Sequence, residues 1–516
     1  MKRQVRFRAG AVAAWLVCAA LPFYFLTRAQ EPGGAAANVN RGVWVSNVNG
    51  NMNAGGAMNG NLSPAAGGYT NLNLAGVGSA GGAREDEPEP ESDPAFSGEW
   101  VEPGPLWGSA RRSLLVLRAG AEAGSKVLAR VRAEVGEVVT VLEAAGDRLR
   151  VKVEANDGQG ATRRRDAEGW VEWGAVVPVA EALVVEAASG EVLRRVPLED
   201  GITNVAFAAD GATAFLYGPA APSVHEAGGD DLKARRAIKL DGTFAGGEVF
   251  PRPSGAAPFV PIWRAAATGG YKLDFLLLGE GPAPAVVPTD LTAESGGRFL
   301  VSDDGLTGFA LYPDRAAWGG ALRVAVAVFD LQTLTQVRAF VLPEAVAPDD
   351  AVALGRNGTE LLALPSQPAP RLVVAESLAG SLLREVPLGR VAGSGTAFRQ
   401  TTPIAGRFVV VYPEDGPDGA VTFRSALLTP EGSLTRLADG VTFMAEAGGV
   451  TYSVDDAGTR LLVLDERGRV RSSRPVRRRE GRPLAPEGDE RIVRGLFATP
   501  DGKRLVIIKG VESCGC

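Results

Sequence analysis

The sequence predicts an all-β chain, and three observations carry that expectation. The stretch Leu496 to Gly510 (LFATPDGKRLVIIKG) reads as one β-hairpin, with an apolar run, a Pro-Asp-Gly turn, a basic pair and a second run of β-branched apolar residues. Weaker copies are read at Val205–Tyr217, Thr292–Ser302, Val352–Leu364 and Val454–Asp465. The chain is rich in turn formers, with 66 Gly and 34 Pro, and helical periodicity is scarce after the N-terminus. A strand pair with one buried face cannot cover that face alone, so recurrence at about 40 to 50 residues implies units stacked on a shared core.

Residues 1–29 open with Lys2, Arg3, Arg6 and Arg8, continue as an apolar run from Ala9 to Leu26 and end in Thr27-Arg28-Ala29. A cationic start, an apolar centre and a small-residue end make an export signal. Cleavage near Ala29 and retention as an anchor are both open, because the run approaches bilayer-spanning length but contains Pro22. Either way the folded part is expected outside the cytoplasmic membrane, in the periplasm, at the cell surface or beyond.

Residues 30–107 read as a linker. An Asn, Gly and Ala-rich tract is followed by the acidic, Pro-spaced run Glu85 to Asp93, and such a composition cannot offset the entropy of ordering.

From 108 to 179 the chain breaks into short, evenly spaced strands with Gly-bearing turns, the pattern of a small barrel. Val116-Leu117-Arg118-Ala119-Gly120, Gly136 to Val141 and the closing Gly169-Trp170-Val171 resemble the bacterial SH3-like family. That resemblance implies binding to cell-wall peptides or to proteins outside the membrane. The family often carries an aromatic where this chain has Gly146-Asp147-Arg148-Leu149, which weakens any transfer of its ligand groove. Trp170 is expected in the core and Trp173 partly exposed. The candidate ligand-binding residues are therefore Trp173 and the basic triplet Arg163, Arg164 and Arg165, suited to anionic wall polymers.

Between residues 180 and 510 two hairpin types alternate. One has a polar turn and an apolar return strand, as at 184–198, 327–342 and 373–388, with looser versions at 224–240, 275–287, 426–437 and 461–476. The other carries Asp210-Gly211, Asn357-Gly358 or Asp501-Gly502, read as two-residue turns needing positive φ. Pairing the two types gives a β-propeller of about seven four-stranded blades, roughly 47 residues each. A solenoid or two sandwiches would give similar patterns. The motifs resemble YVTN-type and WD-like bacterial propeller repeats. Ring closure is expected to pair the segment from Pro178 to Val185 with the last strands.

The 54 Lys and Arg against 60 Asp and Glu leave no basic stripe, which argues against a nucleic-acid coat. Three cysteines, with Cys514 and Cys516 in the tail at 511–516, supply no disulfide framework for the body. His225 is the only histidine and is expected in a turn, and catalysis that relies on several histidines is excluded. Acidic pairs at 230–231, 303–304, 349–350 and 455–456 are expected to serve their own turns. The basic run Arg474 to Arg482 reads as an exposed connection. No catalytic residue, metal ligand or cofactor is assigned, with Ca²⁺ at an acidic pair as the alternative.

The resulting expectation is an exported, non-catalytic binding or scaffold protein of the bacterial envelope. Its partner would be a protein or an envelope ligand, and a membrane tether through the N-terminal segment is open. The alternative is a lactonase-like hydrolase using channel carboxylates such as Asp210, Asp304 and Asp456 with a divalent cation. A purely structural envelope protein is a third reading.

Overall fold

The computed structural model describes Ser46–Asn47, Gly50–Asn51 and residues 98–511 apart from 156–165, 209, 219–222, 241–247, 253–255, 267–268, 280, 303, 316–321, 356–357, 366–368, 389–399, 405, 416–420, 439–440, 442, 456 and 479–490. The export signal, the acidic run, the Arg163–Arg165 triplet and both tail cysteines lie outside the described residues, as does Asp456. Every regular element among the described residues is a strand.

Seven sheets form the blades of a propeller. Blade I joins the two ends of the ring: Ile492–Ala498 and Arg504–Gly510 are followed in space by Ala180–Glu186 and Glu191–Leu198. Leu183 sits opposite Ile507 and Val185 opposite Leu505, so the expected closure is present. Blade II runs from Asn204–Phe207 through Thr213–Tyr217 and Ser223–Gly228 to Ala234–Lys239. Blade III has three strands, and a bridge from Phe250 to Phe259 marks its inner edge. Blades IV to VII have four strands each, beginning at Arg298, Ala351, Gln400 and Met444.

The strand sequences follow from where their faces lie. Seven apolar clusters each draw on two neighbouring blades, so the middle strands bury both faces. In Ala180–Glu186, for instance, Ala182 and Val184 face blade II, whereas Leu183 and Val185 face blade VII. A strand buried on both faces needs no polar alternation, which explains runs such as LVVE, VAVAVF and LVII. Outer strands bury less: Val337, Leu382 and Leu383 are exposed. Phe259, Phe275, Phe299 and Phe329 pack edge-on or tilted between blades III and IV, with ring centroids 5.1 to 6.1 Å apart.

Three expectations about the repeats change. Thr292–Ser302 is no hairpin: Ala285–Ala293 ends blade III and Arg298–Val301 begins blade IV. Val454–Asp465 joins the second and third strands of blade VII, so its turn differs in place from the Asp501 turn, which joins the first and second strands of blade I. The Asp-Gly turns are not two-residue turns. Gly211 N–H donates to Ala208 O and Gly502 N–H to Thr499 O, and only the Gly has positive φ (+69° and +65°). Asp210 and Asp501 instead accept from the backbone two residues on, Ala212 N–H at 2.8 Å and Lys503 N–H at 3.1 Å.

A seven-stranded antiparallel sheet precedes the ring, in the order Val176–Pro178, Leu106–Ala110, Val138–Ala145, Arg148–Val153, Ala167–Glu172, Leu114–Arg118 and Val127–Arg132. Its strands share one core that includes Leu115, Leu117, Leu149, Val151 and Trp173. Trp100–Val101, inside the stretch read as linker, is a strand on the outer edge of blade II opposite Ile238 and Ala237. Arg236 lies over the Trp100 ring at 4.0 Å and pairs with Glu226, which fixes that added strand.

Candidate functional site

A cleft of about 930 Å³ opens where the N-terminal sheet meets blades I and II. Its walls are residues 103–106 and 140–147 on one side and 192–199 on the other, with Ile202, Leu216, His225, residues 231–234 and Arg478 completing it. The outer strand of blade I forms one wall because it is the last strand of its sheet before the ring stops.

Beneath that wall lies a buried ionic joint. Glu181, 1% exposed, sits in a strand whose other residues are apolar as far as the exposed Glu186 at its end. Its Oε2 accepts from Trp173 Nε1 at 3.0 Å and from Arg195 Nη2 at 2.8 Å, and its Oε1 lies 2.8 Å from Arg491 Nη2. The Arg195 guanidinium covers the Trp173 ring at 4.2 Å. Burial pushes the Glu181 carboxyl up, but Arg491, Arg195 and Lys509 outweigh it and hold the group below its ordinary value. Burial also lowers Arg195, against the opposing pull of Glu181. Among the described residues Arg195 Nη1 and Arg478 Nε are buried with no acceptor. A buried donor left unmade costs about 1–3 kcal/mol.

A second polar group borders the cleft. His225 Nε2 is 2.6 Å from Glu199 Oε2 and 2.7 Å from Ser223 Oγ, and Ser223 Oγ donates to Glu199 at 3.3 Å. The hydrogen bond from His225 and burial act in opposite senses on Glu199, and the net effect holds its carboxyl below the ordinary value. Serine and carboxylate meet the same ring nitrogen. A Ser-His-acid relay needs them on opposite nitrogens, so this arrangement anchors the imidazole rather than activating the hydroxyl. His225 is therefore not a turn residue: it lies in the strand Ser223–Gly228 and is 2% exposed.

The two tryptophans exchange roles relative to expectation. Gly169, Val171 and Trp173 are buried while Trp170 and Glu172 face outward or sideways, a strict alternation across the closing strand and its continuation. Trp173 is 1% exposed and belongs to the core and the ionic joint, so it offers no free aromatic platform.

Several of the carboxylates singled out in the sequence serve turns, whereas Asp230 pairs with Arg504 of blade I at 2.8 Å. Asp304 accepts from Ser302 Oγ and Leu306 N–H, and Asp231 from Lys233 N–H. Asp350 accepts from Ala347 N–H, and Asp455 from Thr459 and Arg460 N–H. Asp210 and Asp304 sit in the turns of blades II and IV respectively. Among the described residues no cluster of three or more His, Cys, Asp or Glu is placed to hold a metal ion.

Two buried groups were missed in the sequence. Glu248, at the inner side of blade III beside Tyr217, has its carboxyl pushed up to about 8 by burial. Arg298, opening blade IV, is lowered to about 10 by burial despite Asp349 and Asp350. Glu181 had a readable signal, a lone acid inside the run VPVAEALVV; Glu248 follows the Gly-bearing sequence DGTFAGG and had none.

No protein-family model and no curated protein matches the chain. Among solved structures it is similar to Kuenenia stuttgartiensis hydrazine synthase, at 14% identity over 59% of this chain and 91% of the other, with a TM-score of 0.38. It is also similar to the Cps50 (Swd1) β-propeller domain of Myceliophteria thermophila, at 13% identity over 60% and 97% with a TM-score of 0.35. The third is a putative TolB from Agrobacterium tumefaciens, at 12% identity over 64% and 97% with a TM-score of 0.34. The seven-bladed assignment rests on the sheet order and ring closure of this chain itself.

Proposed function

We propose that this is an exported, non-catalytic binding or scaffold protein of the bacterial cell envelope, with its ligand held where the N-terminal sheet meets blades I and II. The observation that carries this reading is the cleft of about 930 Å³, at the upper end of the size usual for ligand sites, about 300–1,000 Å³. It is walled by two separate sheets and lined by both apolar and cationic side chains. The ionic joint beneath it supports a rigid site, because Trp173 of one sheet and Arg195 of the other share one carboxylate.

In this reading the N-terminal sheet is an SH3-like barrel, supported by the order of its strands and by Gly169-Trp170-Val171 in its closing strand. The apolar start of the chain directs export, and the tract from residue 30 spaces the folded part from the membrane or wall. The partner is a protein or an envelope ligand, and no cofactor takes part.

The test places a photo-crosslinking amino acid at Leu193 or Leu142, both exposed and both lining the cleft, in intact cells. Leu383, exposed on the outer strand of blade V, is the control. Adducts formed from the cleft positions and absent from the control, in a chain recovered outside the cytoplasm, are expected. Equal adducts at all positions, or a cytoplasmic chain, would overturn the reading.

A further inference from the structure

We infer that the ring carries a one-way set of arginine latches, in which an arginine of one blade grips the turn between the last two strands of the next blade and so holds that turn shut. Arg474 is the latch that closes the ring across the two ends of the chain. Such a device is independent of the binding role proposed above.

The same contact recurs around the ring. Arg236, on the outer strand of blade II, donates to Gly279 O at 2.9 Å and Gly281 O at 3.1 Å, in the turn that joins the last two strands of blade III. Arg252, just beyond the bridge at Phe250, donates to Leu331 O at 2.9 Å and Gln332 O at 2.7 Å in blade IV. Arg338 of blade IV donates to Leu378 O of blade V at 3.1 Å, and Arg384 of blade V to Pro430 O of blade VI at 3.2 Å. Arg474 of blade VII donates to Ala188 O and, at 3.2 Å, to Ala187 O of blade I. Between blades I and II the acceptor is a side chain, with Arg504 Nη1 2.8 Å from Asp230 Oδ1 in the turn of blade II. Every one of these contacts points from a blade to its successor.

The chemistry explains the choice of residue. A turn carbonyl points away from the strand ladder and accepts from an outside donor, and a guanidinium presents several donors in one rigid plane. Arg236, Arg338 and Arg384 each stand four positions after the positive-φ residue of their own blade's turn, Leu232, Leu334 and Gly380. Arg194 and Arg436 hold the same offset from Gly190 and Gly432. A fixed offset sets each side chain at the same height on its outer strand, level with the turn of the next blade.

Close packing seats the turns on the preceding blade as well. A Cβ at Gly432 would lie 2.5 Å from Val386 Cγ1 of blade V, and one at Gly468 would lie 2.5 Å from Leu437 Cδ2 of blade VI. At Gly380 it would lie 2.6 Å from Val341 O of blade IV. The ring seam is built alike: a Cβ at Gly190 would lie 2.7 Å from Pro475 O, and Arg477 N–H donates to Gly190 O at 3.1 Å. Each turn is therefore braced by its predecessor rather than by its own blade alone.

The test is hydrogen exchange on the full chain, resolved to single turns by mass spectrometry, for Arg338→Gln, Arg384→Gln and Arg474→Gln. Arg338 and Arg384 are exposed, so their variants keep the apolar core. Each variant is expected to speed exchange about threefold to tenfold in the turn of the next blade alone. For Arg338→Gln that turn is 377–381, where Gly380 N–H donates to Glu376 O at 2.9 Å. For Arg384→Gln it is 429–433, where Gly432 N–H donates to Thr429 O at 2.9 Å, and for Arg474→Gln it is 187–190, where Gly190 N–H donates to Glu186 O at 2.9 Å. Arg384 also pairs with Glu360, but that acid belongs to blade V and its loss would be read there, not in blade VI. Faster exchange in the variant's own turn, an equal rise around the whole ring, or no change at the three turns would overturn the inference. A response to Arg338→Gln and Arg384→Gln without one to Arg474→Gln would refute the closing role of Arg474.

Discussion

Replacing Glu248 by Gln is expected to stabilise the protein at neutral pH and to matter much less at pH 5. Glu248 is 9% exposed, and its carboxyl is pushed from 4.5 to about 8 by burial alone. The seven residues before it in sequence, DGTFAGG, include no cation. Because the folded value lies above the unfolded one, the folded state holds its proton while the unfolded chain releases it. The favourable contribution is fully present below 4.5 and is lost as pH rises through about 8. Between pH 5 and pH 7 the loss is on the order of 2–3 kcal/mol, since each unit of separation is worth about 1.4 kcal/mol. Gln keeps the shape and cannot ionise, so its stability should not fall in this way. Thermal melts of both proteins at pH 5, 6, 7 and 8 read the effect as a difference in melting temperature that widens with pH. A constant difference across the series would show that Glu248 ionises as in water, and the argument from burial would fail.

Other perturbations probe the site and the ring. Glu181→Gln leaves Arg195 and Arg491 buried beside a neutral amide and should cost about 3–5 kcal/mol, with faster proteolytic cleavage near Pro178, read by denaturant melts and limited digestion. The wild-type contribution of Glu181 is present above its unfolded value and is lost as pH falls through its lowered folded value, so acid should mimic the variant. Trp100→Ala removes the ring under Arg236 and frees the added strand of blade II, and a loss of about 1–3 kcal/mol with new hydrogen exchange at Ala237 and Ile238 is expected. Gly229→Ala places a Cβ 1.8 Å from Gly211 O, a backbone atom with no easy retreat, and should destabilise blade II more than the same change at Gly124, where nothing lies within 4 Å although its φ is +85°.

How much of this was legible beforehand differs from element to element. Every hairpin built on a polar turn and an apolar return strand was readable, because residues 184–198, 327–342 and 373–388 each carry turn chemistry between two apolar runs. The turn at Val454–Asp465 looked like the turn at Asp501 because both hold an Asp followed by a Gly of positive φ, +67° at Gly458 and +65° at Gly502. Local turn chemistry does not record whether it joins the first pair of strands or the second. Leu334, at φ +58° where blades I, V, VI and VII have Gly190, Gly380, Gly432 and Gly468, carries no turn signal at all. Its side chain is buried in the core between blades III and IV, and that burial offsets the strained backbone.

The sequence by itself determined the all-β class, a blade number of about seven and the ends expected to close the ring. Those follow from strand period, turn residues and repeat length, all of which are local. Only the tertiary structure decided which polar residues meet. Glu181, Trp173, Arg195 and Arg491 lie on four different strands or loops, and Arg491 is 310 positions from Glu181 along the chain (491 − 181). No spacing rule joins residues that distant, because what brings them together is the closure of the ring against the preceding sheet.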